Sequence, residues 1–128
     1  MIVLDASVVV ELLINGARAA AIRDALAAAA DTLLVPHLLD IEVLSALRSL
    51  TAGGRLESHR LAQFLKALHA LPAERYPHLP LAPRIWELRH NFTAYDATYI
   101  ALAELMHATF FTCDEKLRKG HRAKVHIF

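Results

Sequence analysis

Short apolar runs separated by helix-forming segments constrain this chain more than any other feature. MIVL opens it, TLLV follows at 32–35, and ATFFT (108–112) and KVHIF (124–128) close it. Runs of this length, rich in branched and aromatic residues, suit strands covered on both faces. ERYPH (74–78) reads as a further short strand, weakened by Pro77. Between the strands the pattern turns helical. Ser7 is a plausible N-cap for a helix through Ile14, and ARAAAIRDALAAAA (17–30) is helical by propensity. Pro36 marks the boundary after TLLV, and a helix from about Leu38 to Leu50 stops at Gly53-Gly54. Another covers about Ser58 to Leu71 and ends at Pro72, a short one surrounds Trp86 over 83–90, and Thr93 begins the last long one. A small helix fits between ATFFT and KVHIF. Alternation of this kind predicts an α/β domain with a central, mainly parallel sheet of about four to five strands flanked by helices.

The predicted topology has a consequence for the acids. In right-handed β-α-β units each helix begins where strand C-termini emerge, and open α/β sheets place their sites at that edge. Asp5 directly follows the first strand, and Glu42 lies about one turn into the helix after TLLV. Asp96 is in the first turn of the helix leading to ATFFT, and Asp114 lies just past that strand. All four carboxylates therefore point to one edge of one sheet.

Asp96 is the most conspicuous of them. In TAYDATYIALAELM (93–106) it shares a stripe with Tyr99, Ile100 and Ala103 at the i+3, i+4 and i+7 offsets, residues that pack inward. Each acid has a structural alternative. Asp5 could cap the following helix as well as Ser7 does. Thr93 to Asp96 fits the capping-box pattern, and so does Thr112 through Glu115. Glu42 borders the apolar stripe of Leu39, Val43, Ala46 and Leu50, but Asp40 borders its other side equally well. The helical wheel does not choose between them. Caps explain each position singly, but they do not explain four carboxylates converging without basic partners, whose repulsion raises their pKa values unless a cation intervenes.

An all-oxygen cluster suits Mg²⁺ or Mn²⁺. The eight histidines are scattered with no i,i+4 pair and no H-E-x-x-H, which argues against zinc, and they read as surface or structural residues. No Gly-rich phosphate loop is present, and no spacing supports a triad around Ser7. The single Cys113 excludes an internal disulfide and a multi-cysteine metal site.

At 128 residues, 55% hydrophobic and 21% charged, the chain has the size and composition of one compact domain spanning 1–128. Every long apolar run is interrupted by an acid, so no membrane span is expected, and MIVLD has no basic leader, which points to a cytoplasmic protein. The net charge of +1 gives no global footprint for nucleic acid. Locally, Lys116, Arg118, Lys119, His121, Arg122 and Lys124 form either a solvated surface or a rim for phosphates.

VLDAS, PHLLDIEVLSAL (36–47), NFTAYDATYIALAE (91–104) and FFTCDEKL (110–117) together resemble, in order and across nearly the whole chain, the PIN-domain ribonucleases, and among these the VapC-type toxins of bacterial toxin-antitoxin pairs. The resemblance carries the family's acidic positions onto Asp5, Glu42, Asp96 and Asp114, which settles Glu42 over Asp40. It implies a three-layer PIN-like fold, Mg²⁺ or Mn²⁺ held by Asp5, Asp96 and Asp114, and hydrolysis of RNA by an activated water. Ser7 and Thr112 match hydroxyl positions that support the metal site, and Asn91 resembles a polar residue before the third motif. Lys116, Arg118 and Lys119 would hold flanking phosphates. The implied partners are RNA, a cognate VapB-type antitoxin inserting a segment into the acidic pocket, and a second copy in a homodimer. Where many relatives carry one more acid, this chain has Lys116 and Leu117, so the resemblance does not extend to a tightly held second metal. Two other readings compete. A PIN-like binding module without catalysis would lack part of the acidic set, and a phospho-accepting receiver domain would need paired N-terminal acids and a phosphorylatable Asp after a middle strand.

Overall fold

The computed structural model describes residues 1–128. Five parallel strands form one sheet in the order β3-β2-β1-β4-β5. They are β1 (Ile2–Leu4), β2 (Leu33–Pro36), β3 (Ala73–Tyr76), β4 (Thr109–Thr112) and β5 (Lys124–Ile127). The first two strands and β4 are the buried ones: Val3, Leu4, Val35 and Phe110 have no exposed surface. That is the pattern expected of parallel strands covered on both faces. β3 and β5 lie at the edges and have no fully buried residue; β5 alternates exposed with half-buried positions, and β3 exposes Glu74 alone.

Six α-helices cover the sheet: α1 (Ala6–Ile14), α2 (Ala19–Ala29), α3 (Leu38–Ala52), α4 (Leu61–His69), α5 (Ala82–Glu87) and α6 (Ala94–Leu105). Right-handed crossovers from β1 to β2 and from β2 to β3 put α1 through α4 on one face, and the long return to β4 puts α5 and α6 on the other. α6 packs across β1, β2 and β4 and buries seven consecutive residues, Ala97 to Ala103. A helix so enclosed must be apolar around most of its circumference, and its small alanines allow close approach to the sheet.

Strand order reverses between β1 and β4, because β2 and β3 lie to one side of that pair and β4 and β5 to the other. This junction is the topological switch point, and the crevice outside the strand C-termini there is where an open α/β sheet forms its site. Asp5 leaves β1 and Asp114 follows β4 at this junction.

Several boundaries differ from the sequence expectation. Ser7 is not the N-cap of α1: Asp5 holds that position, its carbonyl accepting from the Val8 and Val9 amides at 3.1 and 3.2 Å. Pro36 ends β2 from inside the strand, paired with Tyr76. The helix expected over 58–71 divides into a 3-10 turn at Ser58–Arg60 and α4. ERYPH does contribute a strand, and Pro77 follows its last residue, where a missing amide disturbs no ladder. α5 stops at Glu87 rather than 90, and the element after β4 is a single 3-10 turn, Glu115–Arg118. Glu115 forms no capping box with Thr112; it pairs instead with Arg118 at 2.8 Å.

Candidate active site

Asp5 is the pivot of the switch-point crevice. Its side chain makes no cap bond to α1, although its backbone occupies the cap position. Its carboxylate instead accepts two hydroxyl protons on the same oxygen, Oδ2: from Ser7 Oγ at 2.7 Å and from Thr112 Oγ1 at 2.7 Å. Oδ1 receives no protein donor. Two short charge-assisted bonds on one oxygen fix the group's rotation and leave the other oxygen for the crevice.

The same hydroxyls hold the chain after β4. Ser7 Oγ accepts from the Cys113 amide at 3.0 Å, and Thr112 Oγ1 accepts from the Asp114 amide at 3.0 Å. Each hydroxyl thus donates to Asp5 and accepts from the segment leading into Asp114. Asp114 caps the 3-10 turn by accepting from the Lys116 amide at Oδ1, at 2.9 Å, and its Oδ2 makes no protein hydrogen bond.

Asp96 stands in the first turn of α6, and the helix is capped by its neighbour: Thr93 Oγ1 accepts from the Asp96 amide at 3.2 Å. The hydroxyl of Thr93 provides the cap, so the carboxylate of Asp96 is not required for it. Burial pushes the Asp96 carboxyl above its usual range, and the charges of Asp5 and then Asp114 push it further, with Lys116 partly opposing them. Glu42 is raised in the same way, by burial first and then by Asp5 and Asp96, against a lowering hydrogen bond from Tyr99. The charge of Asp5 acts on both Glu42 and Asp96, and that of Asp114 on Asp96, so these side chains lie within electrostatic reach of one another.

Asp40 and Glu42, alike on the helical wheel, have different fates. Arg75 of β3 grips Asp40 with Nε at 2.8 Å and Nη2 at 2.9 Å, so Asp40 is a structural anchor between α3 and the sheet edge. Glu42 has no basic partner and accepts from Tyr99 Oη. Tyr99 reads in the sequence only as part of the packing stripe; its offset of three from Asp96, one helical turn deeper, is the signal that it could reach the same crevice.

The remaining candidates divide. Lys116 bears on the crevice through its effect on Asp96. Arg118 is engaged by Glu115, at 3.0 Å from Nε and 2.8 Å from Nη2, and Lys119 is exposed with no ion partner. Asn91 sits exposed in the turn before α6, its amide donating to the Leu88 carbonyl at 3.1 Å, and its side chain bonds to none of the acids.

The donor set suits a hard cation. It is all carboxylate oxygen, it lacks compensating arginines, and neighbouring acids disfavour the ionised forms of Glu42 and Asp96. No three acidic, histidine or cysteine side chains stand close enough together in this structure to hold an ion among themselves. A hard cation would therefore meet these acids partly through its own waters.

Residues 2–122 match the family model for the PIN domain. Ribonuclease VapC9 of Mycobacterium tuberculosis is 39% identical over 127 residues, spanning 99% of this chain and 96% of that one. Among solved structures, PAE2754 from Pyrobaculum aerophilum has the same fold, with a TM-score of 0.74 over 97% of this chain and 81% of that one at 22% identity. VapBC2 from Rickettsia felis, solved bound to a DNA fragment from its promoter, gives a TM-score of 0.71 over 99% and 98% of the two chains at 14% identity. No helix here is long and apolar enough to cross a membrane. With the family match running nearly end to end and a VapC relative aligned over almost its full length, the chain belongs to the PIN-domain family, among the VapC ribonucleases.

Proposed function

We propose that this chain is the toxin of a toxin-antitoxin pair and cleaves RNA by metal-dependent hydrolysis at the switch-point crevice. The observation that carries the reading is the convergence of Asp5, Glu42, Asp96 and Asp114 on a crevice with no arginine partner, where Asp5 raises both Glu42 and Asp96 and only Lys116 partly opposes the effect on Asp96. Asp5, Asp96 and Asp114 would hold Mg²⁺ or Mn²⁺, directly or through waters. When bound, such an ion polarises a phosphodiester and acidifies a water for in-line attack. Ser7 and Thr112 keep Asp5 in one orientation. Glu42, held above the usual carboxylate range, is a better base than an ordinary glutamate and would take the proton of the attacking water. Lys116, Arg118 and Lys119 would meet the flanking phosphates, with Lys116 closest to the acids. Asn91 would act on the approach to α6 rather than on the carboxylates.

A cognate VapB-type antitoxin would neutralise the crevice with a basic side chain and cover apolar surface beside it. Leu61 and Leu65 of α4 are 42% and 41% exposed one helical turn apart, a ready anchor row for such a partner. We place the protein in the cytoplasm as a homodimer; light scattering tests the latter. The decisive assay is cleavage of single-stranded RNA in Mg²⁺, in Mn²⁺ and in chelator, by wild type and Asp96→Asn. Cleavage that needs the ion and disappears in the variant supports the reading. Cleavage surviving in chelator overturns the metal, and a folded wild type inert with both ions leaves a binding module.

A further inference from the structure

A hollow of about 390 Å³ lies between the first turns of α3 and α6, the two helices that carry Glu42 and Asp96. His37, Leu38 and Ile41 line one side, Tyr95 and Thr98 the other, and His78 comes from the turn after β3. The acids are its immediate neighbours in the chain: Ile41 precedes Glu42, and Tyr95 precedes Asp96. We propose that this hollow receives one unpaired nucleobase of the RNA being cut, stacked on Tyr95 and contacted by the ring nitrogens of His37 and His78. The inference rests on the RNA-cleaving reading and specifies how its substrate is held.

Position, size and chemistry support that occupant. The sheet order places Asp5 and Asp114 over β1 and β4, and the hollow over the C-terminal ends of β2 and β3. Those strands lie about 5 and 10 Å to one side of β1, the reach of a nucleotide next to the scissile phosphate. Lys116 and Lys119 lie on the opposite flank, after β4. A strand laid along the sheet edge would set phosphates against the lysines, the scissile bond over the acids and a base in the hollow. The volume is at the small end for organic ligands and suits one ring system.

Tyr95 is 58% exposed and Ile41 65%, an aromatic face and an aliphatic floor of the kind on which bases stack. Neither His37 nor His78 spends a ring nitrogen on another protein group, so both are free to bond a base edge. Thr98 Oγ1 donates to the Ala94 carbonyl at 2.7 Å and retains lone pairs for an exocyclic amine. Recognition of single-stranded RNA depends on stacking with polar contacts to the base edge, and this hollow offers both. A second copy of the chain would find apolar surface here, but three ring-bearing polar residues around a concavity suit a small planar guest better.

Two measurements test the proposal. The first is cleavage of a single-stranded oligoribonucleotide carrying an abasic residue at each position flanking the cut, by wild type and by Tyr95→Ala. One position is expected where removing the base raises KM about tenfold, with Tyr95→Ala causing the same loss on intact RNA and the abasic site adding nothing further to that variant. Losses that multiply overturn it. The second follows the His37 and His78 imidazole NMR signals in chelator during titration with nucleoside 5′-monophosphates, and with inorganic phosphate as control. Shifts with the nucleotides alone, lost in Tyr95→Ala and recovered in Tyr95→Phe, support the hollow as a base site; unmoved signals overturn it. This readout needs no cleavage, so an inert wild type would remove the nuclease reading without deciding the hollow. Dissociation of a dimer in Tyr95→Ala, with activity regained at high protein concentration, assigns the hollow to a second copy.

Discussion

Tyr99 on α6 donates its phenolic hydrogen to Oε2 of Glu42 on α3, joining the two faces of the crevice across 57 positions of sequence. The ring is 1% exposed and stacks on Phe110 of β4, centroids 6.3 Å apart and planes 17° from parallel. Burial and the charge of Glu42 keep the phenol protonated, so it acts as a fixed donor. Tyr99→Phe keeps the ring and removes the donor. We expect stability to fall by about 1.5–3 kcal/mol, the worth of a hydrogen bond to a charged group, with the fold retained, and kcat for RNA to fall about tenfold as Glu42 loses its positioning. Paired thermal melts and single-turnover rates measure this; an unchanged rate would show that Glu42 needs no positioning.

Thr112 is fully buried and serves two acids at once, donating to Asp5 and accepting from the Asp114 amide. Thr112→Val preserves the shape, leaves the part-buried amide of Asp114 without its acceptor and removes a buried donor from Asp5. The expected cost is about 1–3 kcal/mol of stability with a marked loss of cleavage, and Thr112→Ser should recover most of both. Equal behaviour of the Val and Ser variants in urea melts and cleavage assays would reduce Thr112 to packing.

Asp96 is held above the usual carboxylate range by burial and by Asp5 and Asp114, so the fold favours its neutral form. That stability is fully present below the ordinary carboxylate range and is lost as pH rises through the raised value. At neutral pH without metal, the ionised group therefore opposes folding. Asp96→Asn should melt a few degrees higher than wild type at pH 7 in chelator, with the gain shrinking toward pH 4. Mg²⁺ should raise the melting temperature of wild type more than that of the variant. A variant that melts lower throughout would place Asp96 among the stabilising residues.

What the residues reveal in sequence depends on how local their interactions are. β1, β2 and β4 are legible because strands covered on both faces must be continuously apolar, and the acids following β1 and β4 are placed at one edge by topology alone. Asp40 and Glu42 are not separable that way. Their difference is made by Arg75, 35 positions away, and by Tyr99, and neither meets α3 until the layers assemble. Ser7 illustrates the same limit: by local chemistry it is a good cap, but its hydroxyl is claimed by Asp5 and by the Cys113 amide, 106 positions away. The end of α5 shifts by three residues for a related reason, since the Asn91 and Phe92 amides bond back to the Leu88 carbonyl in the turn that delivers Thr93 to the start of α6.

Glu104, at the other end of α6, has the opposite electrostatics to Asp96. Its side chain is 7% exposed. It accepts from Arg84 Nε at 2.7 Å and Nη2 at 3.1 Å, and from the Arg122 amide at 2.8 Å. Burial alone would push its carboxyl up, but the Arg84 bonds and then Arg122 hold it at about 2, well below the ordinary 4.5. A depressed carboxyl contributes stability above the ordinary value and loses it as pH falls toward the folded one. Glu104→Gln should therefore cost about 2–3 kcal/mol at pH 7, with the difference from wild type closing between about pH 4.5 and 2. Because Glu104 lies at the edge of the sheet where the strands begin, far from the acids, cleavage by the folded variant should match wild type. Chemical denaturation at stepped pH separates the contributions: a gap that persists well below about pH 2 belongs to the amide's altered packing, whereas one that closes belongs to the charge on α6 that ties α5 and the β5 approach together.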